Sequence, residues 1–138
     1  DAAARSPWGH EVFLAGWRDH AELAHALAAC DLLAVPSVAE RFGQVYVEAM
    51  AMRVPPIACD AAAPPTFIDA DPASPDRCGW LVEPDDEEGL ARALVAAARD
   101  PAERAIRGEN GRRRAVAGVS WEVAARRTAS VYAAALSG

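Results

Sequence analysis

The chain has 138 residues, of which 52% are hydrophobic, so it fits one folded domain or a large piece of one rather than a disordered chain. Its net charge of −6 argues against a nucleic-acid-binding protein, which needs a basic face, and weakens attraction to anionic membranes. No apolar run approaches the roughly 20 residues that span a bilayer.

The first half of the chain predicts short strands that alternate with helices. Short continuous apolar runs between turn residues predict strands, and apolar residues at helical spacing predict helices. We predict a strand closed by Gly16, a helix capped by Asp19, a strand buried on both faces and a second helix. These four elements run over Val12–Ala15, Asp19–Ala29, Leu32–Val35 and Gln44–Met52.

A proline-rich stretch separates two further predicted strands. The strands lie at Pro56–Cys59 and Gly79–Val82. Between them, residues 60–77 predict a long irregular loop with one helical turn near Thr66–Ile68.

Three helices complete the predicted elements. The first runs from Asp86 to Ala98, with Asp85 as its cap and Glu88 completing a capping box. The next starts at Asp100-Pro101, and the last runs over Trp121–Leu136.

Strands that alternate with helices predict a parallel sheet joined by right-handed crossovers. We therefore expect an α/β fold, a Rossmann-like parallel sheet layered between helices, in one domain over residues 1–138. Four strands are few for a nucleotide-binding domain, so we expect the first strands of the domain to precede this chain.

The cysteines and histidines indicate neither a disulfide framework nor a metal site. Cys30, Cys59 and Cys78 form no CxxC pair and no zinc spacing, which predicts reduced thiols in a cytoplasmic protein. The histidines lack partners at metal-ligand spacing, and His20 and His25 are expected on helix surfaces.

The most informative stretch runs from Glu40 to Ala51, after a predicted strand. It places an acid and Gly43 before a helix, and a second acid, Glu48, inside that helix. A helix N-terminus has unpaired N–H groups that suit a phosphate. Glu48 lies roughly 7 Å along the helix from Gly43, at 1.5 Å per residue. That distance is about the reach from a nucleotide phosphate to its ribose hydroxyls.

Several segments, in the same order, resemble the family 4 retaining glycosyltransferases, which have the GT-B fold. The donor-binding motif is carried by Leu33-Ala34-Val35-Pro36-Ser37, by Glu40 with Phe42-Gly43, and by Glu48-Ala49-Met50-Ala51. The flanking segments that agree are Phe13–Gly16, Pro56–Asp60, Gly79–Asp85 and Ser120-Trp121. The resemblance covers nearly the whole chain and implies part of a C-terminal nucleotide-sugar-binding domain.

The resemblance also implies a role for each residue of the motif. Glu40 would be the catalytic residue in contact with the donor sugar, and Glu48 would hold the ribose hydroxyls. The backbone that would bind sugar oxygens and phosphate belongs to Phe42, Gly43, Gln44 and Val45. The nucleobase would lie near Gly16 and Trp17. A phosphate contact by Arg41 stays open as an alternative, although a solvated arginine is the simpler expectation.

The resemblance implies an enzyme that transfers a hexosyl group from a nucleoside-diphosphate sugar, with retention, and needs no cofactor or metal. Asp69-Ala70-Asp71 imitates the metal motif of a different glycosyltransferase fold, but its proline-rich context indicates only loop polarity. The acceptor, a sugar, lipid or small molecule, would be bound by an N-terminal domain that this chain lacks. Weak peripheral association with the inner face of the membrane stays open.

Four departures from the family pattern are informative. The family has glycines where Met52-Arg53 and Ala61-Ala62-Ala63 stand, and a Pro-Glu pair where Pro65-Thr66 stands. It also neutralises the donor pyrophosphate with an arginine and a lysine, and this chain has no lysine. We therefore expect the chain to be inactive alone.

Other functions stay open at this stage. A degenerate, non-catalytic nucleotide-sugar-binding module would explain the lost glycines. A GT-B sugar-nucleotide epimerase shares the architecture without transferring sugar. A dinucleotide-binding dehydrogenase is disfavoured because no G-x-G-x-x-G follows a strand. The nucleobase, the sugar and the acceptor are not determined by these residues.

Overall fold

The computed structural model describes residues 6–118 and 121–136. Within them lies a parallel three-stranded sheet in the order β1, β2, β3. Its strands are β1 (Leu33–Val35), β2 (Pro56–Cys59) and β3 (Trp80–Val82). The α-helices are α1 (His20–Ala28), α2 (Gln44–Ala51), α3 (Glu87–Arg99), α4 (Pro101–Gly118) and α5 (Trp121–Leu136). Short 3-10 turns lie at Gly9–Glu11 and Pro64–Thr66.

Strand β2 is the centre of the sheet and carries side chains to both faces. Ile57 packs with Val82 and Ala97, on the side covered by α3. Its neighbour Ala58 joins the opposite cluster, which contains Tyr46 and other residues beneath α2 and α4. This alternation is the strand period of two, and it confirms a parallel sheet layered between helices.

Strand β1 differs from its prediction in burial. It pairs only with β2 among the described strands, with Ala34 opposite Ile57. Ala34 is exposed, whereas every residue of β2 is buried. The prediction that Leu32–Val35 is buried on both faces is therefore wrong for the described part of the chain, because β1 forms its edge.

The predicted strand at Val12–Ala15 is also wrong. These residues form no regular structure, and Phe13 is 83% exposed. An apolar run becomes a strand only when a neighbouring strand accepts its hydrogen bonds, and no strand in residues 6–118 pairs with it. Among the described residues, the sheet accordingly has three strands instead of the four expected.

The helix ends follow local capping chemistry, with one correction. Asp19 caps α1 in a complete capping box with Glu22. At α3 the cap is Asp86, whose Oδ1 accepts from the Gly89 amide at 2.8 Å. The predicted cap, Asp85, instead takes a left-handed backbone with φ of 61° before the helix begins. Two consecutive aspartates made the assignment ambiguous by one residue.

Helix α2 packs on α4 through small residues of α4. A β-carbon at Gly111 would lie 3.3 Å from the Met50 side chain, and Gly108 faces the Arg53 backbone. The core cluster on this side of the sheet consists of Tyr46, Met50, Ala58, Ile68, Cys78 and Ala115.

The final helix confirms its predicted bounds. Its first residue, Trp121, is 85% exposed. Trp80, by contrast, is half-buried, and the Arg107 guanidinium lies 4.4 Å above its ring. Ser120, the other half of the late motif, lies outside the described residues. None of the described helices is long and apolar enough to cross a membrane.

Candidate functional site

The loops that follow the three strands meet at the carboxyl edge of the sheet. The Ala63 amide donates to the Glu40 carbonyl at 3.2 Å, which joins the loop after β2 to the loop after β1. The Asp60 amide donates to the Val82 carbonyl at 2.7 Å, which joins it to β3. Ligands of open parallel α/β sheets bind at this edge.

A tight turn brings the first predicted acid to the start of α2. Gly43 has a φ of 79°, a left-handed conformation that suits glycine. Its amide donates to Oε1 of Glu40 at 3.0 Å, so the carboxylate is held by its own turn. The other oxygen, Oε2, has no donor among the residues that the structure describes.

The first amides of α2 are free to bind a ligand. Gly43 provides no capping side chain. Within residues 6–118 and 121–136, no acceptor takes the amides of Gln44 or Val45. Unpaired N–H groups at a helix start carry partial positive charge, which suits a phosphate or a sugar oxygen. The side chains of Arg41 and Phe42 beside this turn are exposed.

Glu48, the second predicted acid, lies about one turn into α2, and its carboxylate is close to the start of α1. Oε1 of Glu48 is 4.0 Å from Nδ1 of His20, the first residue of α1. The Glu48 side chain is 38% exposed, and that of His20 is almost fully exposed. His20 was expected only as a surface residue, since nothing in the local sequence indicates which helix it faces.

Gly16 and Trp17 lie just before α1 in an exposed segment. Gly16 has a φ of 68°, and Trp17 is 86% exposed. No hydrogen bond or ion pair joins either residue to Glu48 or to the turn before α2 in the described part of the chain. Their assignment to the nucleobase stays a prediction.

Tyr46 is the residue at this site that sequence reasoning missed. It is fully buried, and its hydroxyl donates to the Val35 carbonyl at the end of β1, at 2.6 Å. Burial, and to a lesser extent the nearby Glu40 carboxylate, raises the pKa of the tyrosine, so the hydroxyl stays a donor. The available signal was a tyrosine between Val45 and Val47 in the helix that carries Glu48.

Two residues that replace family glycines adopt the backbone conformation that glycine favours. Ala62 has a φ of 55°, and Arg53 has a φ of 65°. Arg53 follows the end of α2, where the Val54 amide donates to the Ala49 carbonyl at 2.9 Å and closes the turn. At both positions a residue with a side chain therefore has a left-handed backbone.

The Asp69-Ala70-Asp71 segment uses its carboxylates to shape its own loop. Asp69 Oδ1 accepts from the Asp71 amide at 3.2 Å, and Oδ2 accepts from Ser74 Oγ at 2.7 Å. These contacts support the interpretation as loop polarity. No group of three potential metal ligands occurs among the described residues.

Comparison with known proteins gives consistent matches. A family model described as glycosyl transferases group 1 matches residues 1–100. The MMP alpha-(1->4)-mannosyltransferase of Mycolicibacterium hassiacum is 38% identical over 116 residues, which are 84% of this chain and 27% of that protein.

Solved structures agree with these matches. Sucrose-phosphate synthase from Thermosynechococcus elongatus gives a TM-score of 0.85 at 32% identity, over 99% of this chain and 33% of that one. Anabaena Alr3699/HepE in complex with UDP gives 0.71 at 26% identity, over 79% of this chain and 29% of that one. The likeness confirms the expected fold class, part of the C-terminal sheet of a GT-B protein. The chain spans between 27% and 33% of the length of these proteins.

Proposed function

Because this chain belongs to the group 1 glycosyl transferases, we propose that it forms part of the donor site of a retaining hexosyltransferase. The donor is a nucleoside-diphosphate sugar. The observation that carries the proposal is the start of α2, where two free amides lie between a carboxylate held by the turn, Glu40, and a half-exposed carboxylate, Glu48.

Each part of this arrangement suits one part of the donor. The amides of Gln44 and Val45 suit the diphosphate, since they donate from the positive end of α2. Glu48, about a turn further along, accepts hydrogen bonds from the two ribose hydroxyls. Glu40 contacts the sugar through its free oxygen, Oε2. Gly16 and Trp17 border the nucleobase, and the Phe42-Gly43 backbone borders the sugar.

Charge neutralisation limits what this chain does alone. The diphosphate needs cations in the transition state, when the leaving group gains charge. The chain has no lysine, and the loops at this edge carry the acids Glu40, Asp60, Glu83 and Asp85 against the cation Arg41. We propose that residues 1–138 are part of a C-terminal donor domain, that a longer protein supplies the cations and an acceptor-binding N-terminal domain, and that the isolated chain is inactive.

The names of the relatives support a nucleotide-sugar donor. One similar protein is a mannosyltransferase, and one similar structure holds UDP. The proposed site requires no metal and no cofactor. The three free cysteines in the described chain support a cytoplasmic location, with the inner face of the membrane as the place of a lipid acceptor.

Binding of nucleotides tests the donor site directly. Calorimetry on the protein at its full natural length, with UDP, GDP and their sugars, compares the wild type with Glu48→Gln. We expect the variant to bind at least tenfold more weakly, since charge-assisted hydrogen bonds are worth about 1.5–3 kcal/mol each. The control is Glu88→Gln, a helix glutamate whose side chain is 90% exposed. Equal affinity of the wild type and Glu48→Gln would refute the ribose role.

Turnover separates the enzyme from its alternatives. The full-length protein should transfer the hexose to an acceptor with the anomeric configuration of the donor, as nuclear magnetic resonance of the product reports. An epimerase would change the sugar nucleotide without any acceptor, and a degenerate module would bind but release no product. Transfer that is abolished by EDTA would contradict the metal-free proposal, and transfer by the isolated chain would contradict its inactivity.

A further inference from the structure

One buried residue, Tyr46, is hydrogen-bonded to both ends of the loop between β1 and α2. The Tyr46 hydroxyl donates to the carbonyl of Val35, the last residue of β1, at 2.6 Å. The Tyr46 amide donates to the carbonyl of Gly43, the last residue before α2, at 3.0 Å. The chain between these two carbonyls contains Glu40 and the Phe42-Gly43 turn.

The ring of Tyr46 also lies against the turn. A β-carbon at Gly43 would stand 2.8 Å from Cε2 of the ring, so the glycine backbone packs against the Cδ2–Cε2 edge of the ring. Tyr46 is fully buried, and a packed interior holds such a side chain in one rotamer. The turn therefore has a rigid support beneath it.

The carboxylate of Glu40 depends on this support. Its Oε1 accepts from the Gly43 amide at 3.0 Å, and its carbonyl accepts from the Ala63 amide at 3.2 Å. If Gly43 moves, the bond that orients the carboxylate changes length and angle. Glu48 lies on the helix beyond Tyr46 and has no bond to the tyrosine hydroxyl, whose acceptor is Val35.

We propose that the Tyr46 hydroxyl is a positioning group for the sugar end of the donor site, and that it leaves the nucleotide end unaffected. The inference rests on the proposed function. By tying α2 to the end of β1, the hydroxyl fixes Glu40 and the Gly43 turn at the distance that the hexose requires. A displacement of a positioned group by about 1 Å can cost on the order of 10²-fold in rate.

Packing alone does not explain the hydroxyl. A phenylalanine would fill the same volume, and a buried hydroxyl costs free energy unless it is hydrogen-bonded. If the hydroxyl is removed, the Val35 carbonyl keeps a second donor, the Ser37 amide at 2.9 Å. Tyr46→Phe should therefore fold, with its stability reduced by only about 1 kcal/mol.

The test measures how much the sugar adds to nucleotide binding. Calorimetry on the full-length protein gives the affinity of the wild type and of Tyr46→Phe for UDP, GDP, UDP-glucose and GDP-mannose. We expect Tyr46→Phe to bind the preferred nucleotide sugar about tenfold more weakly and the bare nucleotide within about twofold of the wild type. The matched control is Tyr132→Phe at the other tyrosine of the chain, which is 67% exposed.

Each outcome decides the proposal. An equal loss of affinity for nucleotide and nucleotide sugar would overturn it, because general loosening of α2 affects both. Unchanged affinity for every ligand would also overturn it. A wild type that binds no nucleotide sugar would overturn the proposed function first. Amide hydrogen exchange at Gly43 provides a readout without a ligand: it should speed up in Tyr46→Phe, and unchanged exchange would count against the proposal.

Discussion

Gly43 rests on the ring of Tyr46, so that a β-carbon at residue 43 would lie 2.8 Å from Cε2 of the tyrosine. The same glycine has a φ of 79° and donates its amide to Glu40. Two independent requirements therefore select glycine at this position: a left-handed backbone and the absence of a side chain above a fixed ring.

Gly43→Ala should destabilise the protein by about 3 kcal/mol, because the left-handed backbone and the clash with a fixed ring each cost about 1–2 kcal/mol. Gly16→Ala is the matched control, since Gly16 has a φ of 68° and open space around its would-be β-carbon. It should cost only the backbone share, about 1–2 kcal/mol. Urea unfolding compares the two variants, and equal losses would show that the ring contact is unimportant.

Ala62→Gly should stabilise the protein by about 0.5–1 kcal/mol. Ala62 has a φ of 55°, and the relief of this strain exceeds the entropy that glycine adds to the unfolded chain. Its neighbour Ala63 has an ordinary helical φ of −79°, so Ala63→Gly should destabilise by about 0.5–1 kcal/mol. Thermal unfolding of both variants gives the signs, and a destabilised Ala62→Gly would contradict the left-handed assignment.

Arg53 provides a second test of the strain that a left-handed backbone imposes on a residue other than glycine. Its Nε donates to Glu109 at 2.7 Å, a contact that lowers the pKa of that carboxyl. Both Arg53→Gly and Arg53→Ala remove this contact, so the difference between them reports the backbone alone. With φ at 65°, the glycine variant should be more stable than the alanine variant by about 1 kcal/mol. At an ordinary helical position the order is reversed.

Glu103 should make stability depend on acid pH. Two hydrogen bonds from Arg77, together with a third from Arg107, lower the pKa of Glu103 from 4.5 to about 2. A depressed pKa stabilises the folded state above pH 4.5, and this contribution is lost as the pH falls from 4.5 towards 2. At neutral pH the contribution of Glu103 to the free energy of unfolding is on the order of 3 kcal/mol.

Glu103→Gln should be less stable at pH 7 and should lose this pH dependence, as urea unfolding at pH 7, 4.5 and 2.5 would report. The variant also leaves the buried Arg107 without its anionic partner. Glu88→Gln is the control, because the Glu88 pair with Arg92 is at the surface and contributes little. The same acid profile in Glu103→Gln and the wild type would contradict the assignment.

The prediction of elements succeeded where local chemistry is sufficient. Asp19 and Glu22 form the capping box that starts α1, and the apolar run at Pro56–Cys59 forms β2 at its predicted bounds. The prediction failed at Val12–Ala15, where an apolar run has no neighbouring strand in the described chain. It also failed at Asp85, where adjacent acids compete for one cap.

The sequence by itself determined the two acids, the glycine between them and the helix that carries Glu48, because turn and helix signals are local. Only the tertiary structure decided that Tyr46 reaches the end of β1 and that His20 faces Glu48. It also decided that Ala62 and Arg53 adopt the left-handed backbone that glycine favours. Tyr46 and Val35, like His20 and Glu48, come close only because the helices pack against the sheet. A local sequence pattern does not specify which distant residues that packing brings together.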